Sequence, residues 1–398
     1  MFNPADKIQD LQFFGEFGGV NPSISDSSTY TFMSAKTMFD TFEGNTDGCY
    51  LYSRHTHPSG LNLGLALAEM EGTESATVAA SGMGAITPVL LQLCDAGEHI
   101  VSSRTIYGGT YAFMKKFLPK LNIQTSFVDI TKLDQVEAAI TPKTRVLYCE
   151  TVSNPLLEVA DLKALAKIAK KHNLKLVVDN TFSPLSVAPA LLGADVVIHS
   201  LTKFINGSSD TVGGVICASA EFINQLKDVN TGACMLLGST MDSLRAASIL
   251  KNLRTLHLRM KQHSHNAMYL AQRFEKDGLK VVYPGLASHP SHEIYTSILN
   301  KEYGYGGMLT IDAGSLEKAN ALMELMQEEK LGYLAVSLGF YKTLFSAPGT
   351  STSSEIPADE QIEMGLTAGL IRLSVGLDNN IERSYQLMKD CMKKLQII

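Results

Sequence analysis

A lysine just past an apolar strand, flanked by hydroxyls, is placed to use its amine on a ligand. Lys203 is such a residue: the run Ala194–His199 leads into Ser200-Leu201-Thr202-Lys203, and Gly207 follows. A second apolar run, Lys175–Val178, leads into Asp179-Asn180-Thr181. Ligands of open parallel sheets bind outside the carboxyl ends of the strands. A carboxylate there is costly to bury unless it meets a cation or a donor. An aldehyde cofactor with a pyridine ring and a phosphate requires an amine, a carboxylate to keep the ring nitrogen protonated, donors for the phosphate and an aromatic face. Ser81-Gly82-Met83-Gly84 lies between a short strand and a helix, so its amides can meet a phosphate at the helix N-terminus. Tyr107, in Ile106-Tyr107-Gly108-Gly109-Thr110, follows the next strand and supplies an aromatic face.

Singly, each piece has a plainer explanation: a surface lysine, a helix-capping aspartate, a tight glycine turn, a packed tyrosine. Four of them in order at successive strand ends are much harder to dismiss.

The elements that must position them can be read from the periodicity. Leu61–Met70 reads as a helix, Ser75–Ala79 as a strand and Gly84–Leu93 as a helix. The strands His99–Ser102, Gln124–Val128, Arg145–Glu150, Lys175–Val178, Ala194–His199 and Val212–Ala218 follow, with helices at Leu133–Ile140 and Asp161–His172. Strands that are apolar almost throughout and alternate with helices predict an α/β fold with a mostly parallel sheet covered on both faces. Residues 1–60, rich in Gly, Ser, Thr, Asn and aromatics, predict an extended arm with short turns that lies on a partner subunit. Ser243–His265 reads as one long helix joining two units. Two α+β pieces, Gly307–Met326 and Gly369–Lys394, come after it, and Ser346–Ser354 reads as a loop. The expected division is an arm (1–60), a large domain (61–242) and a smaller α+β domain (243–398).

Among the 398 residues, 45% are hydrophobic and 19% charged, values of a well-packed globular protein. A net charge of −6 and the lack of a Lys/Arg-rich run argue against nucleic-acid binding. No apolar run approaches the ~20 residues that span a bilayer. The first residues lack the basic flank and apolar core of a secretory signal, and the six scattered cysteines form no CxxC pair and read as free thiols. A soluble, cytoplasmic protein is expected, with no metal site.

The stretch Asp195–Gly207, DVVIHSLTKFING, resembles the cofactor-attachment signature of the Cys/Met-metabolism enzymes that depend on pyridoxal 5′-phosphate (PLP). YSR at 52–54, SGMGAI at 81–86, YGGT at 107–110, ETVSNP at 150–155, VVDNTF at 177–182 and GLIRLSVGLD at 369–378 are similar to its other blocks, in its order and over nearly the whole chain. The resemblance implies an aspartate-aminotransferase-like fold and a homo-oligomer, a dimer or a dimer of dimers. It implies that Lys203 carries PLP as a Schiff base and moves protons, Asp179 pairs with the pyridine nitrogen, and Asn154 contacts the phenolic oxygen. Tyr107 would stack on the ring and act as an acid or base. Gly82, Met83, Ser200 and Thr202 would hold the phosphate, with Tyr52 and Arg54 reaching that of a neighbouring subunit. Arg372, helped by Ser337, would grip the carboxylate of a small amino-acid substrate.

The chain departs from the family at Ser208, where His or Gln is usual, at Leu201, and at Gly109, where many bacterial methionine γ-lyases have cysteine. It departs again across 337–355, SLGFYKTLFSAPGTSTSSE. That segment is most similar to plant-type methionine γ-lyases; Lys342 stands where an acidic residue is common, and the flanking Phe340, Tyr341, Phe345 and Pro348 predict an apolar wall beside the substrate. The implied reaction is γ-elimination on a sulfur amino acid, above all L-methionine. The alternatives are γ-replacement, as in cystathionine γ-synthase or O-acetylhomoserine sulfhydrylase, and cystathionine γ-lyase activity. A non-catalytic PLP-binding scaffold is the reading from another class, disfavoured because a scaffold needs none of Lys203, Asp179, Tyr107 and Arg372.

Overall fold

The computed structural model describes residues 2–12, 20–46, 48–351 and 358–398. Seven strands form the main sheet: β1 (Ser75–Ala79), β2 (His99–Ser103), β3 (Gln124–Val128), β4 (Thr144–Glu150), β5 (Lys175–Asp179), β6 (Val196–Ser200) and β7 (Gly214–Ala218). Their order is β1-β7-β6-β5-β4-β2-β3. The four pairings from β3 to β6 are parallel, whereas β7 runs antiparallel to both β6 and β1. Two reversals cancel, so β1 points the same way as β6. The carboxyl ends of all strands except β7 therefore share one edge.

The uninterrupted apolar runs follow from burial on both faces. Val101, Leu147, Cys149, Leu176, Val178 and Val197 enter one core, and their neighbours Ile100, Val146, Tyr148, Val177, Val196 and Ile198 enter another on the opposite face. Each such aliphatic side chain contributes roughly 1.5–3 kcal/mol on burial. Register then lines up the edge residues: Glu150 pairs with Asp179, Asp179 with Ile198, and Ser200 with Gly214.

A second sheet holds β8 (Val281–Val282), β9 (Met308–Asp312), β10 (Tyr333–Leu334), β11 (Leu344–Ser346) and β12 (Leu370–Ser374), in the order β10-β11-β12-β9-β8. Leu309, Ile311, Ile371 and Leu373 point into a core shared with helices Leu316–Glu328 and Ile381–Lys394. By strand alternation Arg372 leaves that core on the other face.

Three expectations change. Residues 1–60 are not simply extended: Pro4–Asp10 and Ala35–Phe42 are helices, capped by the side chains of Asn3 and Ser34. The first rests on its own chain through Ala5 and Ile8, whereas Met38, Phe39 and Phe42 of the second are exposed. The single long helix is two, Ser243–Leu253 and Leu256–Lys276. The Asn252 carbonyl at the break accepts from the Thr255 hydroxyl at 3.1 Å and from Arg259 Nη2 at 3.0 Å, which draws it away from the helical ladder. Within Ser346–Ser354, Ser346 ends β11 and Pro348–Thr350 form a 3₁₀ turn, while residues 352–354 lie outside the described residues.

Candidate active site

A cavity of about 240 Å³ opens at the carboxyl edge of the main sheet, and Gly82, Met83, Tyr107, Asn154, Asp179, Ser200, Thr202, Lys203 and Arg372 all line it. The Lys203 Nζ, on the turn after β6, donates to Ser337 Oγ at 3.1 Å. Burial, with Arg372 nearby, brings its ammonium down to about 8 from the usual lysine value. Asp179 ends β5 and its Oδ1 accepts from the Thr181 amide at 2.9 Å. Burial raises its carboxyl, against the pull of the Thr181 bonds.

The helix Gly82–Leu93 starts at the cavity. Ser81 caps it, its Oγ accepting from the Gly84 amide at 2.9 Å. The remaining first-turn amides have no intrahelical partner and suit an anion. A Cβ added at Gly82 would lie 2.9 Å from the Ser200 Cβ, so only glycine lets this turn approach β6. Ser200 borders the same space, whereas the Thr202 hydroxyl already accepts from Gly213 N at 3.0 Å. Tyr107 is 41% exposed and stands at the mouth. A Cβ at Gly109 would fall 2.6 Å from the Tyr107 ring, so a cysteine there requires a different ring position.

Arg372 is 2% exposed, and burial lowers its guanidinium to about 10. Its Nη1 donates to Asn154 Oδ1 at 2.8 Å and its Nη2 to the Ser337 carbonyl at 3.4 Å. Among the described residues it has no carboxylate partner. An amine, a buried carboxylate, helix-terminal amides and a buried guanidinium thus converge on one space. These groups fit an aldehyde cofactor bearing a ring nitrogen and a phosphate, together with an amino-acid carboxylate.

The comparisons with known proteins agree with that chemistry. The family model "Cys/Met metabolism PLP-dependent enzyme" matches residues 8–395. The chain belongs to this family. It is 45% identical over 390 residues to the methionine gamma-lyase of Arabidopsis thaliana, covering 96% of this chain and 88% of that protein. It is 39% identical over 353 residues to the cystathionine gamma-lyase of Bacillus subtilis, covering 88% and 89%. A solved putative O-acetylhomoserine (thiol)-lyase of Campylobacter jejuni superposes with a TM-score of 0.91 at 28% identity, over 98% of this chain and 100% of that one. It carries N′-pyridoxyl-lysine-5′-monophosphate. The chain is therefore a PLP-dependent enzyme of sulfur amino-acid metabolism, with the fold of its solved relatives.

Within the family's site, Glu150 escaped the sequence reading. It ends β4 beside Asp179, and its Oε1 and Oε2 accept from the amides of Tyr107 at 2.7 Å and Asn154 at 2.8 Å. Burial and the charge of Asp179 hold its carboxyl well above the usual range. A polar residue at the carboxyl end of an apolar strand was the available signal. Phe182, Val212, Val336 and Leu338 also line the cavity without having been singled out.

Tyr52 and Arg54 are not part of this cavity. Arg54 Nη1 donates to the Met235 carbonyl at 2.7 Å and its guanidinium sits 5.8 Å from the Tyr52 ring centre; that ring is 46% exposed. The expected apolar wall from 337–355 is corrected. Lys342 lies over the Tyr333 ring at 5.1 Å, Phe345 is buried in the core of the second sheet, and Phe340 packs edge-on against Tyr341. Strand alternation sends Phe345 inward. Residues 352–355 of that segment lie outside the described residues.

Among the described residues no helix is long and apolar enough to cross a membrane, and no group of three or more His, Cys, Asp or Glu is placed to hold a metal ion. All six cysteines are unpaired.

The lowered Lys203 ammonium has a measurable consequence. Only the neutral amine attacks an aldehyde, so PLP uptake by the apoprotein should accelerate as pH rises toward about 8 and then level off. At pH 7 about a tenth of the amine is neutral, against less than about one part in a thousand for an ordinary lysine. Stopped-flow uptake across pH 6–10 checks this; a rate still climbing at pH 10 would contradict it.

Proposed function

We propose that this chain catalyses γ-elimination on L-methionine, giving an α-keto acid, ammonia and methanethiol. The observation that carries an amino-acid substrate is Arg372, a buried guanidinium lacking a carboxylate among the described residues, in the same cavity as the Lys203 amine. A substrate carboxylate completes it bidentately, and the Asn154 bond fixes the guanidinium plane. The choice of methionine rests on the 45% identity to a methionine gamma-lyase and on the apolar lining from Val212, Val336 and Leu338. These side chains suit a compact thioether better than the second zwitterion of cystathionine.

PLP, when bound, supplies an electron sink for negative charge at the substrate Cα. Asp179 would hold the proton on the cofactor's ring nitrogen, and Gly82, Met83, Ser200 and Thr202 would receive its phosphate. Lys203, its ammonium lowered by burial and its amine steadied by Ser337, would take the proton from Cα, pass it on to the bound cofactor, and with its lone pair regained take one from Cβ. Tyr107, at the mouth, gives a proton to the departing sulfur. Water then completes the keto acid and ammonia. The deciding experiment compares kcat/KM for methionine, cystathionine, and O-acetylhomoserine with cysteine. Preference for either rival by more than about tenfold, some 1.4 kcal/mol at the transition state, overturns the methionine assignment while leaving the PLP chemistry standing.

The proposal includes a homo-oligomer, with 1–60 as an arm on a large domain (61–242) and a small one (243–398). In it Tyr52 and Arg54 complete the phosphate site of the partner, which accords with their position away from their own cavity. Arg54→Ala should weaken PLP retention by about 1.5–3 kcal/mol, the value of a hydrogen bond to a charged group. Equilibrium dialysis measures this, and full activity in a strictly monomeric sample would refute the shared site.

A further inference from the structure

Two loops carry the residues that must meet one substrate, and a single buried carboxylate joins them. The loop after β2 carries Tyr107; the loop after β4 carries Asn154. Tyr107 precedes the short helix Gly108–Ala112, which no side chain caps. Its amide bonds instead to Glu150 Oε1 at 2.7 Å. The other Glu150 oxygen closes its own loop by accepting from the Asn154 amide at 2.8 Å. The Asn154 side chain in turn accepts from Arg372 Nη1 at 2.8 Å. The connection runs from one carboxylate to the backbone on both sides, and from there to the guanidinium.

We propose that Glu150 is the positioning residue of this site, setting the spacing between Tyr107 and the Asn154–Arg372 pair so that both reach the same substrate. The inference rests on the reading of Arg372 as the carboxylate site. Both Glu150 oxygens are used by backbone donors, so the side chain serves as a brace of fixed length. Glutamine keeps the length but turns one acceptor into a donor facing an N–H, which leaves that loop unheld. Aspartate keeps the charge but is one methylene shorter and cannot span both amides. A role resting on length and two acceptors is therefore impaired by both changes. A role resting on charge is impaired by glutamine and restored by aspartate.

The test uses the PLP-loaded enzyme and glycine, which has the amine and carboxylate but nothing at Cγ to expel. Binding is followed by the change in the visible band, alongside PLP content and melting temperature. Glu150→Gln and Glu150→Asp should each weaken glycine binding about tenfold or more with PLP content retained. Asn154→Ala should weaken it too, and combined with Glu150→Gln should add little, because both act through one connection. Wild-type glycine affinity in Glu150→Gln, rescue by aspartate, or additive losses in the double variant would each overturn the proposal. If Glu150→Gln does not fold, Glu150→Asp decides the question, alone and combined with Asn154→Ala: wild-type glycine affinity in the single variant or additive losses in the double would overturn the proposal. Arg372→Gln separates the two readings: if it binds glycine normally, the assignment of Arg372 fails, not only the brace.

Discussion

Lys203→Ala should yield a folded protein in which borohydride reduction attaches no PLP to the chain. Turnover should fall at least about 10³-fold, because in the proposed mechanism the base for both proton transfers is lost along with the nucleophile. The fold should survive because, among the described residues, the Lys203 side chain makes one hydrogen bond, to Ser337. Burial that lowers its ammonium means that its charge does not favour the native state. Intact-mass measurement after reduction, with circular dichroism on the same sample, checks both halves. A variant that still gains the cofactor's mass at another lysine would remove Lys203 from the centre of the site.

Arg372→Leu should separate activity from stability. Under the proposed role of Arg372 as the substrate-carboxylate site, taking away its buried guanidinium should cost about 2–5 kcal/mol in kcat/KM, from about thirtyfold to several thousandfold. The apoprotein should change stability by no more than about 2 kcal/mol. Its Asn154 and Ser337 acceptors lose a donor, but a buried cation with no carboxylate partner among the described residues disappears with it. Urea unfolding of the apoprotein, set beside steady-state kinetics, is the measurement. A loss of 3–5 kcal/mol in stability with little loss of activity would mark Arg372 as part of a structural ion pair.

The legible parts of this chain were those where one physical demand acts on consecutive residues. Burial on both faces makes the central residues of β2, β4, β5 and β6 apolar, so their ends could be read, and with them the edge where Asp179 and Lys203 stand. Glu150 was missed because its partners are backbone amides, which leave no mark in the side-chain sequence. The helix break at Arg254–Thr255 depends on Thr255 and Arg259 competing for one carbonyl, a local contest that apolar periodicity does not record. The 337–355 segment misled for a related reason. Its aromatics are apolar, but strand alternation sends Phe345 into the second core and away from the ligand.

The reversed strand β7 has a consequence for how the protein is made. Among the described residues strand β1 borders no strand but β7, and the other five strands of the sheet are synthesised between them. The turn at Ser81–Gly82 and the turn after β6 therefore stay on unconnected pieces of chain until β7 emerges and inserts between them. Closing so long a loop costs entropy before the new contacts can repay it, so this junction should form late and slowly. A nascent chain ending before Gly214 would expose the β1 edge and lack the proposed phosphate cradle. Cofactor capture should thus report the completion of the sheet, and free PLP during refolding should favour the assembled topology over β1 paired with a wrong neighbour.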